Sequence, residues 1–149
     1  MKLSKDFKLT KEFFRMNEFL ANEDPNQISV ENSINIKTLA DKLEELRKIV
    51  GRIDINSGYR SVTFNAKIGG SDGSYHTDGL AADIKFNWGD WKLSTILQIV
   101  NYLGFSNIGI YQRSNKFIWL HLDIARPWKH GEYNWIKYSD TLSYKIYQV

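Results

Sequence analysis

A chain of 149 residues with 42% hydrophobic and 25% charged side chains has room for one buried core and is too apolar for a disordered polymer. It contains no cysteine, which excludes a disulfide framework and a thiolate metal site; a metal would have to be held by histidine and carboxylate. Its net charge of +3, without a dense Lys/Arg cluster, suits mild attraction to an anionic surface such as a cell wall and argues against a nucleic-acid partner.

The N-terminal stretch "MKLSKDFKLTKEFF" has no apolar run of signal-peptide length, and no segment reaches the ~20 apolar residues of a membrane span. The chain is therefore expected to be made soluble in the cytoplasm, without membrane contact, and to need another exit route if it acts on a cell wall. "LTKEFFRMNEFLAN" has apolar residues at helical spacing, with Thr10 as N-cap. "EDPNQISVENS" reads as a loop. "NIKTLADKLEELRKIVG" is the clearest helix, with Ile36, Leu39, Leu43, Leu46 and Ile49 on one stripe and Gly51 at its end.

"RIDINSGYRS" reads as a short strand ending in a turn, and "VTFNAKIGGSDGS" as a short helical or irregular segment before a glycine loop. "LAADIKFNW" is strand-like, and "DWKLSTILQIVNYLG" is a second helix, with Asp90 as N-cap and Gly104 as C-cap. "NIGIYQ" and "KFIWLHLDI", separated by "RSN", read as a β-hairpin. The tail from Ala125 is aromatic and less periodic. This order predicts a single α+β domain over residues 1–149, an antiparallel sheet with flanking helices.

Strand alternation places Trp119, His121 and Asp123 on one face, with Ile118, Leu120, Leu122 and Ile124 on the other. In "LAADIKF" it puts Asp83 with Ala81 and Lys85, opposite Ala82, Ile84 and Phe86. If the two strands are neighbours, His121 and Asp83 converge, and the preceding loop brings in His76. Two imidazoles and a carboxylate, with a fourth position left to water, make a zinc site of the catalytic type. Asp123 beside it is a candidate general base, or a group that orients a ligand. Each of these residues alone is an ordinary loop or surface residue, and His130 in "KHGE" reads as a loop.

The stretches "INSGYRS", "GGSDGSYHTDGLAADI", "IGIY" and "WLHLDIARPW" occur in an order that resembles the zinc D-Ala-D-Ala carboxypeptidase type of peptidoglycan peptidase. That group shares its fold with phage L-Ala-D-Glu endopeptidases, D-Ala-D-Ala dipeptidases and the hedgehog signalling domain. Its Ser-x-His-x-x-Gly-x-Ala-x-Asp pattern is met by Ser74, His76, Gly79, Ala81 and Asp83, and its later histidine by His121. The resemblance implies a Zn2+ cofactor held by His76, Asp83 and His121. It implies that Arg60 binds a substrate carboxylate, and that Ser74 fixes the loop or touches the substrate.

The match is incomplete at the base. Many relatives carry an acidic residue three positions before the last zinc histidine, where this chain has Ile118. Asp123 is then the first candidate for the catalytic carboxylate, with Asp72, Asp78 and Glu132 behind it, and Trp88, Trp91, Trp119 and Trp128 are candidates for lining a groove. The expected function is zinc-dependent cleavage of peptidoglycan stem peptides by a monomer, as a D,D-carboxypeptidase or endopeptidase. A phage lysin or virion-associated lytic enzyme fits a compact domain of this kind. The alternative is a binding or structural module that keeps zinc without hydrolysis.

Overall fold

The computed structural model describes residues 4–114 and 116–125, together with the backbone of two strands at 133–138 and 144–148. Its helices are α1 (Met16–Leu20), α2 (Val30–Val50), α3 (Val62–Lys67) and α4 (Leu93–Tyr102). Its strands are β1 (Ile53–Ser57), β2 (Ala81–Phe86), β3 (Asn107–Arg113), β4 (Lys116–Asp123), β5 (Tyr133–Tyr138) and β6 (Tyr144–Gln148). The six strands form one sheet in the order β1-β2-β4-β3-β5-β6. The α+β class stands, with one departure from the expected pattern: β5 runs parallel to β3, while every other neighbouring pair is antiparallel. No helix among the described residues is long and apolar enough to cross a membrane.

Alternation in the strands decides where the core lies. Ala82 and Ile84 of β2, Ile108 and Ile110 of β3, and Leu120 and Leu122 of β4 are buried together with Ile36, Leu39, Leu43 and Leu46 of α2 and Ile96 and Val100 of α4. Each fully buried Leu or Ile contributes about 1.5–3 kcal/mol. The helices thus cover one face of the sheet, and Asp83 and His121 point from the other.

Several boundaries differ from the sequence reading. α2 begins at Val30, where the Ser29 hydroxyl accepts from the amide of Asn32 at 3.0 Å. Its first turns carry no buried stripe, since Val30 and Ile34 are exposed, so hydrophobic period could not find them. At its other end the buried stripe closes on Val50 rather than Ile49. Thr10 caps a turn rather than a helix: its hydroxyl accepts from Phe13 and Phe14, and α1 starts only at Met16. The amides of Glu12 and Phe13 go to the carboxylate of Glu44 on α2, which holds this turn against the core. Lys92, not Asp90, stands at the N-cap of α4, and the Lys42 ammonium donates to the Leu103 carbonyl at its far end.

The β3–β4 hairpin contains an unexpected bulge. Tyr111 pairs with Trp119 and Gln112 with Phe117, so Ile118 is the extra residue. Phe117 therefore reaches the core side, where its ring stacks 4.2 Å from Trp88, which stacks in turn on Phe86. Trp88 is thus committed to packing on both faces. Trp91 also packs against the core, Trp119 stacks on Tyr111 at 4.4 Å, and Trp128 lies outside the described residues.

Candidate metal centre

Three separate pieces of chain supply the site. Asp83 and His121 are direct register partners across the β2–β4 ladder, which brings their side chains together on the open face. His76 comes from a 3-10 turn, Tyr75–Asp78, immediately before β2. The turn is pinned at every side. The Ser74 hydroxyl accepts from the His76 amide at 3.3 Å, and the Arg60 amide donates to the His76 carbonyl at 3.0 Å. Asn32 and Asn35, in the early turns of α2, donate to the carbonyls of Thr77 and Asp78. Gly79 leaves the turn with φ +72°, and a Cβ there would come within 2.8 Å of the Asn32 carbonyl.

The two imidazoles are oriented before any ligand arrives. His76 Nδ1 donates to the Gly58 carbonyl at 2.7 Å; a carbonyl only accepts, so Nδ1 carries a proton and Nε2 is turned to the centre. His121 lies between two carboxylates, with Nδ1 3.1 Å from Asp83 Oδ1 and Nε2 3.1 Å from Asp123 Oδ2. Asp83 divides its oxygens: Oδ1 faces both imidazoles, 3.4 Å from His76 Nε2, and Oδ2 accepts from Arg60 at 3.2 Å.

The electrostatics follow from burial and these partners. Burial pushes the Asp83 carboxyl up, but hydrogen bonds from His121 and His76 and their charge outweigh it, holding the group well below the usual carboxylate range. Burial pushes the His121 imidazole down, yet the bonds to Asp123 and Asp83 prevail and its pKa is raised to about 9. Without a metal, the ring is an imidazolium clasped by two carboxylates.

A divalent metal fits this arrangement. One donor atom from each of His76, Asp83 and His121 lies within 4.8 Å of the others. Tetrahedral zinc, with ligand bonds of about 2.0–2.1 Å, needs donors about 3.3 Å apart; the two contacts to Asp83 Oδ1 measure 3.4 and 3.1 Å. The donor set would be His76 Nε2, Asp83 Oδ1 and His121 Nδ1. The opposite nitrogen of each ring is held by a carbonyl or a carboxylate, the usual way a ligating histidine is fixed.

The other expected residues fall around this centre in ways the sequence left open. Asp123, 1% exposed, lies across the His121 ring from Asp83. Its Oδ1 accepts from Asn107 at 2.9 Å and from the Ala125 amide at 3.3 Å, and its Oδ2 faces His121. Both oxygens of this carboxylate are thus engaged within the protein. Ser74 fixes the loop. Arg60 donates to Ser57, Asn65 and Asp83, so three of its five N–H groups hold the site itself. Asp72 and Asp78 are exposed, and His130 and Glu132 lie outside the described residues. Sequence reasoning missed Asn107, Asn65 and the Gly58 carbonyl. Only Gly58 had a signal, in "SGYRS", and its reason is steric: a Cβ would lie 2.6 Å from the Phe19 carbonyl.

On this fold the His-Asp-His group has the donor set of a divalent-metal site. Compared with known families, the chain matches Peptidase M15 over residues 12–123, which takes in every residue of the centre. The chain belongs to the Peptidase M15 family, a family of zinc metallopeptidases. No curated protein matches it.

Proposed function

We propose that the protein cleaves peptidoglycan stem peptides, as a D,D-carboxypeptidase or endopeptidase of the kind used in phage lysis. The observation that supports this reading best is the convergence of His76, Asp83 and His121 with both rings already oriented. The bound metal supplies Lewis acidity, polarising the scissile carbonyl and making a water nucleophilic at neutral pH. Asp123 keeps a proton on His121 Nε2 and so leaves Nδ1 to serve as a ligand. Arg60 steadies the second oxygen of Asp83, and we assign its remaining N–H groups to a carboxylate of the stem peptide.

Proton transfer needs a carboxylate free to accept. We assign Asp123 to holding His121 rather than to taking that proton, because both of its oxygens already accept hydrogen bonds. Glu132, Asp72 and Asp78 remain as sequence candidates for the base. The second reading, a zinc-holding module without hydrolysis, is favoured by one observation: Ile118, at the position where the family resemblance implies an acid in many relatives, is a bulged apolar residue. Digestion of peptidoglycan by zinc-loaded protein, followed by mass spectrometry beside a chelated control, decides between them. A chelator-sensitive cut is expected, and its fragments name the bond; intact walls from several chemotypes with zinc tightly held would establish the module.

A further inference from the structure

A groove of about 540 Å³ opens beside the metal centre, between α3 and the chain that follows α1. Ser57 and Arg60 belong to both: Ser57 is the register partner of Asp83, and Arg60 bonds to that carboxylate, while both side by side line the groove. Further along, the lining is Phe64, Lys67 and Ile68. Phe64 of α3 and Ile68, the residue that caps its C-terminus, stand four residues apart, joined by the bond from the Ile68 amide to the Phe64 carbonyl at 3.1 Å, which makes them neighbours on one surface. They are 43% and 49% exposed, large apolar side chains turned to water in a concave wall. Scattered exposed apolar residues are ordinary; two that line one groove leading away from a metal centre are not scattered.

The wall is also rigidly joined to the site. Asn65, 4% exposed, accepts from Arg60 at 3.2 Å and donates to the Ser71 carbonyl at 3.0 Å, which ties α3 to the guanidinium and to the glycine loop before His76. Ser61 caps the helix by accepting from the Phe64 amide, and its own amide goes to Glu23 across the groove. Arg60 has three N–H groups occupied by the site, and its remaining two stand where the groove begins.

Building on the peptidase reading, we infer that this groove is an extension subsite: the substrate continues beyond the scissile bond, past Arg60, laying an apolar side chain on Phe64 and Ile68 and an acidic group near Lys67. The enzyme then cuts within a longer peptide in preference to releasing a single terminal residue.

The test uses two peptides with the same scissile bond. One ends a single residue after it; the other continues for two more residues, the last apolar. The zinc-loaded protein should show a higher kcat/KM on the extended peptide, and Phe64→Ser with Ile68→Ser should lower the extended-to-short ratio by about tenfold. Val62→Ser, on the same helix but outside the groove, should leave the ratio unchanged and controls for damage to α3. An equal loss on both peptides, or no loss, overturns the subsite while the peptidase reading stands. Chelator-insensitive or absent cleavage of both peptides overturns the peptidase reading, and the subsite with it.

Discussion

His121 is held by Asp123 at Nε2 and faces Asp83 at Nδ1, both at 3.1 Å, so the ring is clamped between two carboxylates. Asp123 must accept on both oxygens, from Asn107 on one and His121 on the other. Asparagine cannot do this: its amide nitrogen would meet a donor on one side or the other. The escape is to move the imidazole proton to Nδ1, which removes that nitrogen as a ligand. Asp123→Asn should therefore keep the fold and weaken zinc affinity about 10–100-fold, read by competition with a chelating dye. Unchanged affinity with lowered turnover would restore Asp123 as the base.

Metal binding should be steeply pH-dependent. In the metal-free protein His121 has its pKa raised to about 9, above the ordinary 6.5 of an imidazole, so at neutral pH the metal must displace its proton. Apparent affinity should rise about tenfold per pH unit from pH 7 and level off above the folded-state pKa. Calorimetry in buffers of different ionisation enthalpy should find close to one proton released per metal at pH 7.5. The sign reverses for stability of the metal-free fold. The raised His121 pKa stabilises fully below about 6.5 and the contribution is lost as pH climbs to about 9, so the metal-free melting temperature should fall across that window.

Gly58 links the core to the centre. Its carbonyl holds His76 Nδ1, and the next amide, from Tyr59, donates to the Phe19 carbonyl at 2.7 Å. A methyl group at Gly58 would press on that same carbonyl at 2.6 Å, and backbone cannot give way as a side chain can. Gly58→Ala should cost about 1–3 kcal/mol of stability and should weaken metal binding as well, because the displaced carbonyl no longer fixes the His76 tautomer. A denaturant titration beside a zinc titration checks both; loss of stability with full zinc affinity would show that the carbonyl is not needed for orientation.

The meeting of Asp83 and His121 was legible in the sequence because a strand's period of two is strict. Once Asp83 and His121 lie on neighbouring strands, their facing follows, and the ladder pairs them directly. The bulge at Ile118 was not legible, since an inserted residue leaves no mark in an apolar run, and it moved Phe117 rather than Ile118 into the core contacts. The early turns of α2 were equally hidden. Asn32 is placed there, a turn ahead of Asn35 where the helix was recognised, and polar residues that hold the His76 turn break the apolar pattern by which helices are recognised. The parallel β5 depends on how the chain returns after β4, which local pattern does not encode. The role of Asp123 was open for a geometric reason: position +2 on a strand fixes the face, not which ring nitrogen the carboxylate meets.

Glu44 offers a test of the fold that leaves the centre alone. It is 4% exposed on α2, and its carboxylate accepts from the amides of Glu12 and Phe13, closing the turn that Thr10 starts. Burial raises its pKa, but the hydrogen bonds from Thr10, Phe13 and Glu12 outweigh burial and lower it below 4.5. A lowered folded-state pKa means that its contribution is present above about 4.5 and is lost as pH falls through the folded value. Glu44→Ala leaves two amides without their acceptor and should cost about 1–3 kcal/mol at pH 7. The difference from wild type should shrink on acidification below pH 4.5, measured by urea unfolding across that range. Zinc affinity at pH 7 should not change, because the His76 turn rests on Asn32 and Asn35 at the opposite end of α2. Loss of zinc from this variant would mean that the N-terminal turn supports the centre through the core, and that the metal and the fold are coupled over the whole length of the helix.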